Sequence, residues 1–205
     1  MVRAISAAFL LAASAAHAVP AVPSFEVSAA QLQSSIGAMH SARLKSVGGQ
    51  IDSLAWDLER GRRDAERLRS DLRFLLQRVR APQPGNGRPG GDPSLRWDVQ
   101  RFTQELSQLA RDSQWRLDSL RMLTAQAVKD ESLVPSAQRL QSAARWQKSE
   151  TNWLAFDARF AYFDFIRAGY SFEAMDLDRD SRDADARAQD LQDGSDRLLA
   201  KVRGS

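Results

Sequence analysis

The sequence predicts an all-α fold: an elongated antiparallel helical bundle of about four long helices with coiled-coil-like heptad packing. Three observations carry that expectation. Leu44, Val47, Ile51, Leu54, Leu58, Gly61, Ala65, Leu68, Leu72, Leu75 and Val79 alternate steps of three and four, and ten of these eleven are apolar, the pattern of a helix with one buried seam. No stretch alternates apolar and polar residues as a half-buried strand does, and no βαβ rhythm appears. Helix-breaking residues collect in a few short places, so the segments between them are long.

The chain opens on a leader. Residues 1–18, MVRAISAAFLLAASAAHA, place Arg3 before a thirteen-residue run from Ala4 to Ala16 and end on Ala16-His17-Ala18, the layout of a Sec signal peptide. A thirteen-residue helix spans about 20 Å against a hydrocarbon core of about 30 Å, so a cleaved leader is expected rather than an anchor. The expected destination is the periplasm, with secretion as the second choice. Residues 19–27 hold Pro20 and Pro23 and read as an extended leader. Ser28 and Gln31 fit a capping box, which opens the first helix, expected over 28–80 and about 80 Å long. Gly48-Gly49 costs it about 2 kcal/mol of helix propensity, yet the heptad phase is unchanged across the pair. One continuous helix, weak at that point, is expected. Its outer positions interleave Arg60, Arg62, Arg63, Arg67, Arg69 and Arg73 with acids, and Glu59–Arg63 has the i,i+4 spacing of a surface ion pair.

Residues 81–93, APQPGNGRPGGDP, hold four prolines and four glycines and predict a flexible linker. Residues 94–205 are expected to supply three helices that pack with the first as one domain. Leu95, Val99, Phe102, Leu106 and Leu109 resume the heptad; its phase then falls on Ser113 and Arg116 and recovers at Leu120, Leu123 and Ala127, with Leu117 placed to fill the gap. A break at 131–135 puts Ser132 as a cap and Pro135 at the start of the third helix, Gly169 as that helix's C-terminal cap, and Ser171 as the cap of the last. The last helix carries Leu177, Ala184, Ala188, Leu191, Leu198 and Val202. The first helix is longer than the others, so part of its seam is expected to lack a partner within the chain, an argument for self-association through Ile51, Leu54, Leu58, Leu68, Leu72 and Leu75.

The composition removes whole classes of chemistry. None of the 205 residues is cysteine, which excludes disulfides, zinc fingers, iron–sulfur ligation and cysteine nucleophiles. The two histidines are His17, inside the leader, and His40. No GxSxG, HExxH, P-loop or GxGxxG motif is present. No enzyme, no cofactor and no metal site is expected.

Four features remain. Trp146, Trp153, Phe156, Phe160 and Phe163 follow steps of 7, 3, 4 and 3 and share one helix face, and nine of the sixteen aromatics lie between residues 146 and 172. That face reads either as a ligand pocket or partner groove, or as the thickest part of the core. Leu154, Ala158 and Ala161 on an adjoining stripe favour the core. The acidic run from Asp176 begins like a calcium loop, but its sixth and twelfth places hold Ser181 and Arg187 instead of Gly and Glu. Its i,i+4 pairs, Asp178–Arg182, Asp183–Arg187 and Asp193–Arg197, suit a solvated helix face. His40 beside Met39 has no second ligand at a fixed spacing, although Met122 and Met175 exist. From Arg43 to Arg88 eleven basic residues face six acidic ones; export argues against nucleic acid, and an anionic envelope surface is a candidate partner. The expected function is an exported interaction or scaffold protein that acts by binding a protein partner or its own copy. The alternatives are a small-molecule carrier using the aromatic face and a periplasmic helical chaperone or stress-sensing partner.

Overall fold

The computed structural model describes residues 29–81 and 93–204, with the side chains of 33–81 and 94–204. The expected signal segment, extended leader and Ser28 cap, and residues 82–92 of the linker expected at 81–93, lie outside the described residues. The chain is all-α: α1 is Ala29–Arg80, α2 Pro93–Gln126, α3 Val134–Arg167 and α4 Ser171–Arg203, with a 3-10 turn at Glu131–Leu133. It divides into two compact units, residues 1–39 and 40–205. In the first unit, Ile36 and Met39 of α1 are exposed.

The second unit is a four-helix bundle made of two antiparallel hairpins, α1/α2 and α3/α4. The order around it is α1, α2, α4, α3, fixed by the contacts of α4 with α2 and α3 and by ion pairs from α1 to both others. Arg67–Glu105 at 3.0 Å and Arg78–Asp98 join α1 to α2. Asp52–Arg139, Arg69–Asp157 and Arg80–Asp164 join α1 to α3. The last three ascend together, so α1 and α3 are parallel neighbours. Consecutive helices are antiparallel as expected, but α2 and α3 are not neighbours. They stand diagonally, and residues 127–133 cross the end of the bundle between them.

The heptads bury as the pattern requires. Ile51, Leu54, Leu58, Leu68, Leu72 and Leu75 are buried, as are Leu95, Val99, Phe102, Leu106, Leu120 and Leu123 on α2. Leu117 is also buried and fills the gap. All six seam residues of α1 are thus covered by helices of the same chain, and pairing them with another copy requires opening the bundle. Helix α1 runs unbroken through Gly48-Gly49, and the seam of α4 is buried from Leu177 to Val202.

The caps differ from expectation in two places. Asp130, not Ser132, caps the 3-10 turn: its carboxylate accepts the Ser132 N–H at 2.7 Å, and α3 opens at Val134 without a side-chain cap. Ser171 is the first residue of α4, whose cap position is Tyr170, again without a side-chain bond. The end of α3 is a full Schellman motif: Tyr170 N–H donates to Phe165 O and Gly169 N–H to Ile166 O, with Gly169 at φ 88°. Phe165 and Tyr170 pack edge to face with centroids 6.4 Å apart, the apolar contact this motif uses.

Candidate functional site

Helix α3 carries two complete faces. The inner one is Ala137, Leu140, Ala144, Gln147, Thr151, Leu154, Ala158, Ala161 and Phe165, an unbroken a/d run, all buried. The aromatic stripe lies on the other. Trp146, Trp153, Phe156, Phe160 and Phe163 are 46–64% exposed, so the expectation of a thick aromatic core is corrected. Small inner residues let α1 and α4 approach α3 closely, and the large side chains are left outside.

The stripe is an organised surface. The rings of Trp153 and Phe156 meet edge to face at 6.0 Å and those of Phe156 and Phe160 at 4.8 Å. The Arg69 guanidinium sits 5.2 Å from the Trp153 ring centroid. Asp157, on the α1 side of the stripe, accepts from Arg69 at 2.9 Å and from Arg73 at 3.2 Å, and Asp164 accepts from Arg80 at 2.7 Å. These acids turn the arginines of α1 along the edge of the aromatic surface. Arg63, Arg159 and Arg167 are exposed, and none is among the residues paired to a carboxylate in the described part of the chain.

Next to the stripe, toward the start of α3, a groove of about 740 Å³ opens between α1 and α3, lined among others by Ala55, Trp56, Pro135, Ser142, Ala143 and Trp146, with Asp52, Glu59, Arg63 and Arg139 at its edge. Ridge and groove form one continuous surface. From Trp146 to Phe163 the stripe extends about 25 Å. All five tryptophans of the chain are exposed, but Trp97 and Trp115 stand apart on α2. Monomeric proteins rarely expose a contiguous apolar patch of this kind unless it binds something. Sequence reasoning missed Trp56, which lies outside the α1 seam; a large aromatic two residues past Leu54 and off the heptad face was the available signal.

The middle of the bundle holds a second unusual feature. Residues 65–79, 95–110, 154–168 and 174–184 contribute to one apolar cluster, and residues 44–58, 117–127, 133–144 and 191–202 to another. Between them lie Gly61, Ser113, Arg116, Gln147 and Thr151. Arg116 is 4% exposed, and its Nη1, like Gln147 Oε1, has no hydrogen-bond partner. Gln147 donates to Ser113 at 3.3 Å. A Cβ on Gly61 would stand 2.5 Å from Arg116 Nη1, so glycine is what admits the guanidinium. Burial holds the Arg116 pKa below its ordinary value, opposed by Asp112, Asp57 and Asp64.

The other sequence candidates are dispersed over the bundle. The acidic run is helical throughout α4. Asp178 pairs with Arg182 and Asp183 with Arg187, whereas Asp193 accepts from Gln189 instead of pairing with Arg197. Glu59 pairs with Arg62 at i,i+3, not with Arg63. His40, Met122 and Met175 are exposed on α1, α2 and α4. Among the described residues no group of three or more His, Asp or Glu side chains is gathered as a metal site, and no helix is long and apolar enough to cross a membrane. The chain matches no protein-family model, no curated protein and no solved structure.

Proposed function

We propose that this is an exported, periplasmic helical interaction protein that acts by binding, not catalysis, and that its contact surface is the outer face of α3 with the adjoining α1/α3 groove. The observation that supports this most strongly is the line of five exposed aromatics on a helix whose inner face is already complete. Nothing in the folding of the unit requires them. Aromatic and arginine side chains are the types that anchor protein contacts, and here both are present with their geometry held by ion pairs. The surface thus takes over the role that the 44–79 seam had in the sequence-based expectation.

A second reading rests on the groove itself. Its 740 Å³ is within the range that holds a small ligand, and Trp56 and Trp146 would flank an apolar one. This keeps the carrier as the alternative.

The test is site-directed photocrosslinking in the native host. A photoreactive side chain at position 160 is expected to give covalent protein adducts. The same group at Gln114, on the outside of α2, is the control. Adducts at neither position, or equally at both, contradict a binding face on α3.

A further inference from the structure

We infer that the α1/α3 face binds a second copy of this chain, with the aromatic ridge of each copy seated in the groove of the other. The inference rests on the binding role proposed for this face and specifies its partner.

Shape is the first argument. A two-fold interface must be self-complementary, each patch meeting its own counterpart. This face holds a ridge at Phe156, Phe160 and Phe163 and a groove bounded on α3 by Pro135, Ser142 and Trp146, at two levels of the same helix. A two-fold axis lying across α3 level with Thr151 exchanges the two. It sets α3 antiparallel to its counterpart and places Phe156 over Trp146 and Phe160 over Ser142 of the second copy.

Charge is the second argument. The helices α1 and α3 run in step, their paired residues being 84–88 apart in sequence. The same axis therefore brings Arg63 next to Glu66 of the second copy. Arg63 is one of the three exposed arginines near this face that no carboxylate among the described residues of its own chain holds. A flat anionic bilayer would leave the groove empty and would meet Asp157 and Asp164 inside the aromatic edge.

Area is the third. Six half-exposed aromatics, counting Trp56, offer roughly 500–800 Å² per copy at 150–250 Å² each, close to the roughly 800 Å² per partner of a stable interface.

The experiment is light-scattering mass with circular dichroism on the full chain across a micromolar concentration series. The wild type is expected to double in mass as concentration rises. Phe160→Glu on the ridge and Ser142→Arg in the groove are each expected to remain monomeric with unchanged helicity, since both sites are exposed. Mixed one to one, they are expected to recover the doubled mass, because one ridge–groove contact is then Glu against Arg and the other is wild type. Should Phe160→Glu lose helicity, Phe156→Glu replaces it. A wild type monomeric at every concentration, a Phe160→Glu protein that still doubles, or a mixture that stays monomeric overturns the pairing. Adducts to a different protein at position 160 with a monomeric wild type would retain the binding face and reject the second copy as its occupant.

Discussion

Arg116 is a charged side chain whose burial costs the fold. A buried guanidinium gives up its hydration, and among the described residues no carboxylate forms an ion pair with it to compensate. Its lowered pKa has the same sign: the charged form is disfavoured in the folded state, and the penalty persists at every pH below the arginine range. Replacing buried ion pairs by apolar residues of similar volume is often neutral or stabilising by about 1–4 kcal/mol, and Arg116 lacks even the partner, so Arg116→Met is expected to leave the denaturant midpoint unchanged or raise it. Gly61→Ala is expected to lower stability by about 1–3 kcal/mol through the Arg116 contact, despite the better helix propensity of alanine. In an Arg116→Ala background most of that loss should disappear, a coupling of about 1 kcal/mol or more between the two sites. Additive single effects would show that the layer is not packed as described. Gly61, Ser113 and Arg116 were each legible as faults in a heptad. That the three meet in one layer was not, because their meeting depends on which helices adjoin and at what height.

At the scale of the element, the helices and the breaks between them followed from periodicity and from proline and glycine. The caps were less legible. Sequence placed the cap at Ser132, and only the 3-10 turn shows that the Asp130 carboxylate accepts the Ser132 N–H instead. Hydrogen bonds from Ser132, by its hydroxyl and its backbone N–H, hold the Asp130 carboxyl below the usual range. A depressed folded pKa stabilises above the unfolded value, and that contribution is lost as pH falls through the folded one. Asp130→Ala should therefore narrow the stability difference between neutral and acidic solution, measured as denaturant midpoint against pH. A steeper acid loss in the variant would contradict this sign. The weak point of α1 is also testable. A Cβ at Gly49 meets nothing within 4 Å, so Gly49→Ala is expected to add about 0.5–1 kcal/mol; destabilisation would mean the glycine serves a bend or a contact.

At the scale of the whole molecule, hydrophobic pattern reads which residues share a face, not which face turns inward. Helix α3 offered two regular faces, one of Ala and Leu and one of Trp and Phe, and together they made an apolar arc wide enough to read as buried on both. The small face lies inward because Ala137, Ala144, Ala158 and Ala161 let the neighbouring helices approach closely, and the Arg69–Asp157 and Arg80–Asp164 pairs flank that contact. The parallel setting of α1 beside α3 was likewise illegible, since a crossing loop and a short hairpin read alike in sequence. The stability of the molecule therefore resides chiefly in Leu and Ala, joined by the buried Phe102, Phe165 and Tyr170, and the aromatics of the α3 stripe are free for contact. The most direct measurement is denaturant unfolding at a concentration where the protein is monomeric, comparing Leu154→Ala with Phe160→Ala. Leu154→Ala is expected to cost about 2–5 kcal/mol by removing buried surface and leaving a cavity. Phe160→Ala is expected to cost no more than about 1 kcal/mol, the worth of its edge contact with Phe156. Equal losses, or a larger one for Phe160, would place the aromatic stripe in the core and contradict the account.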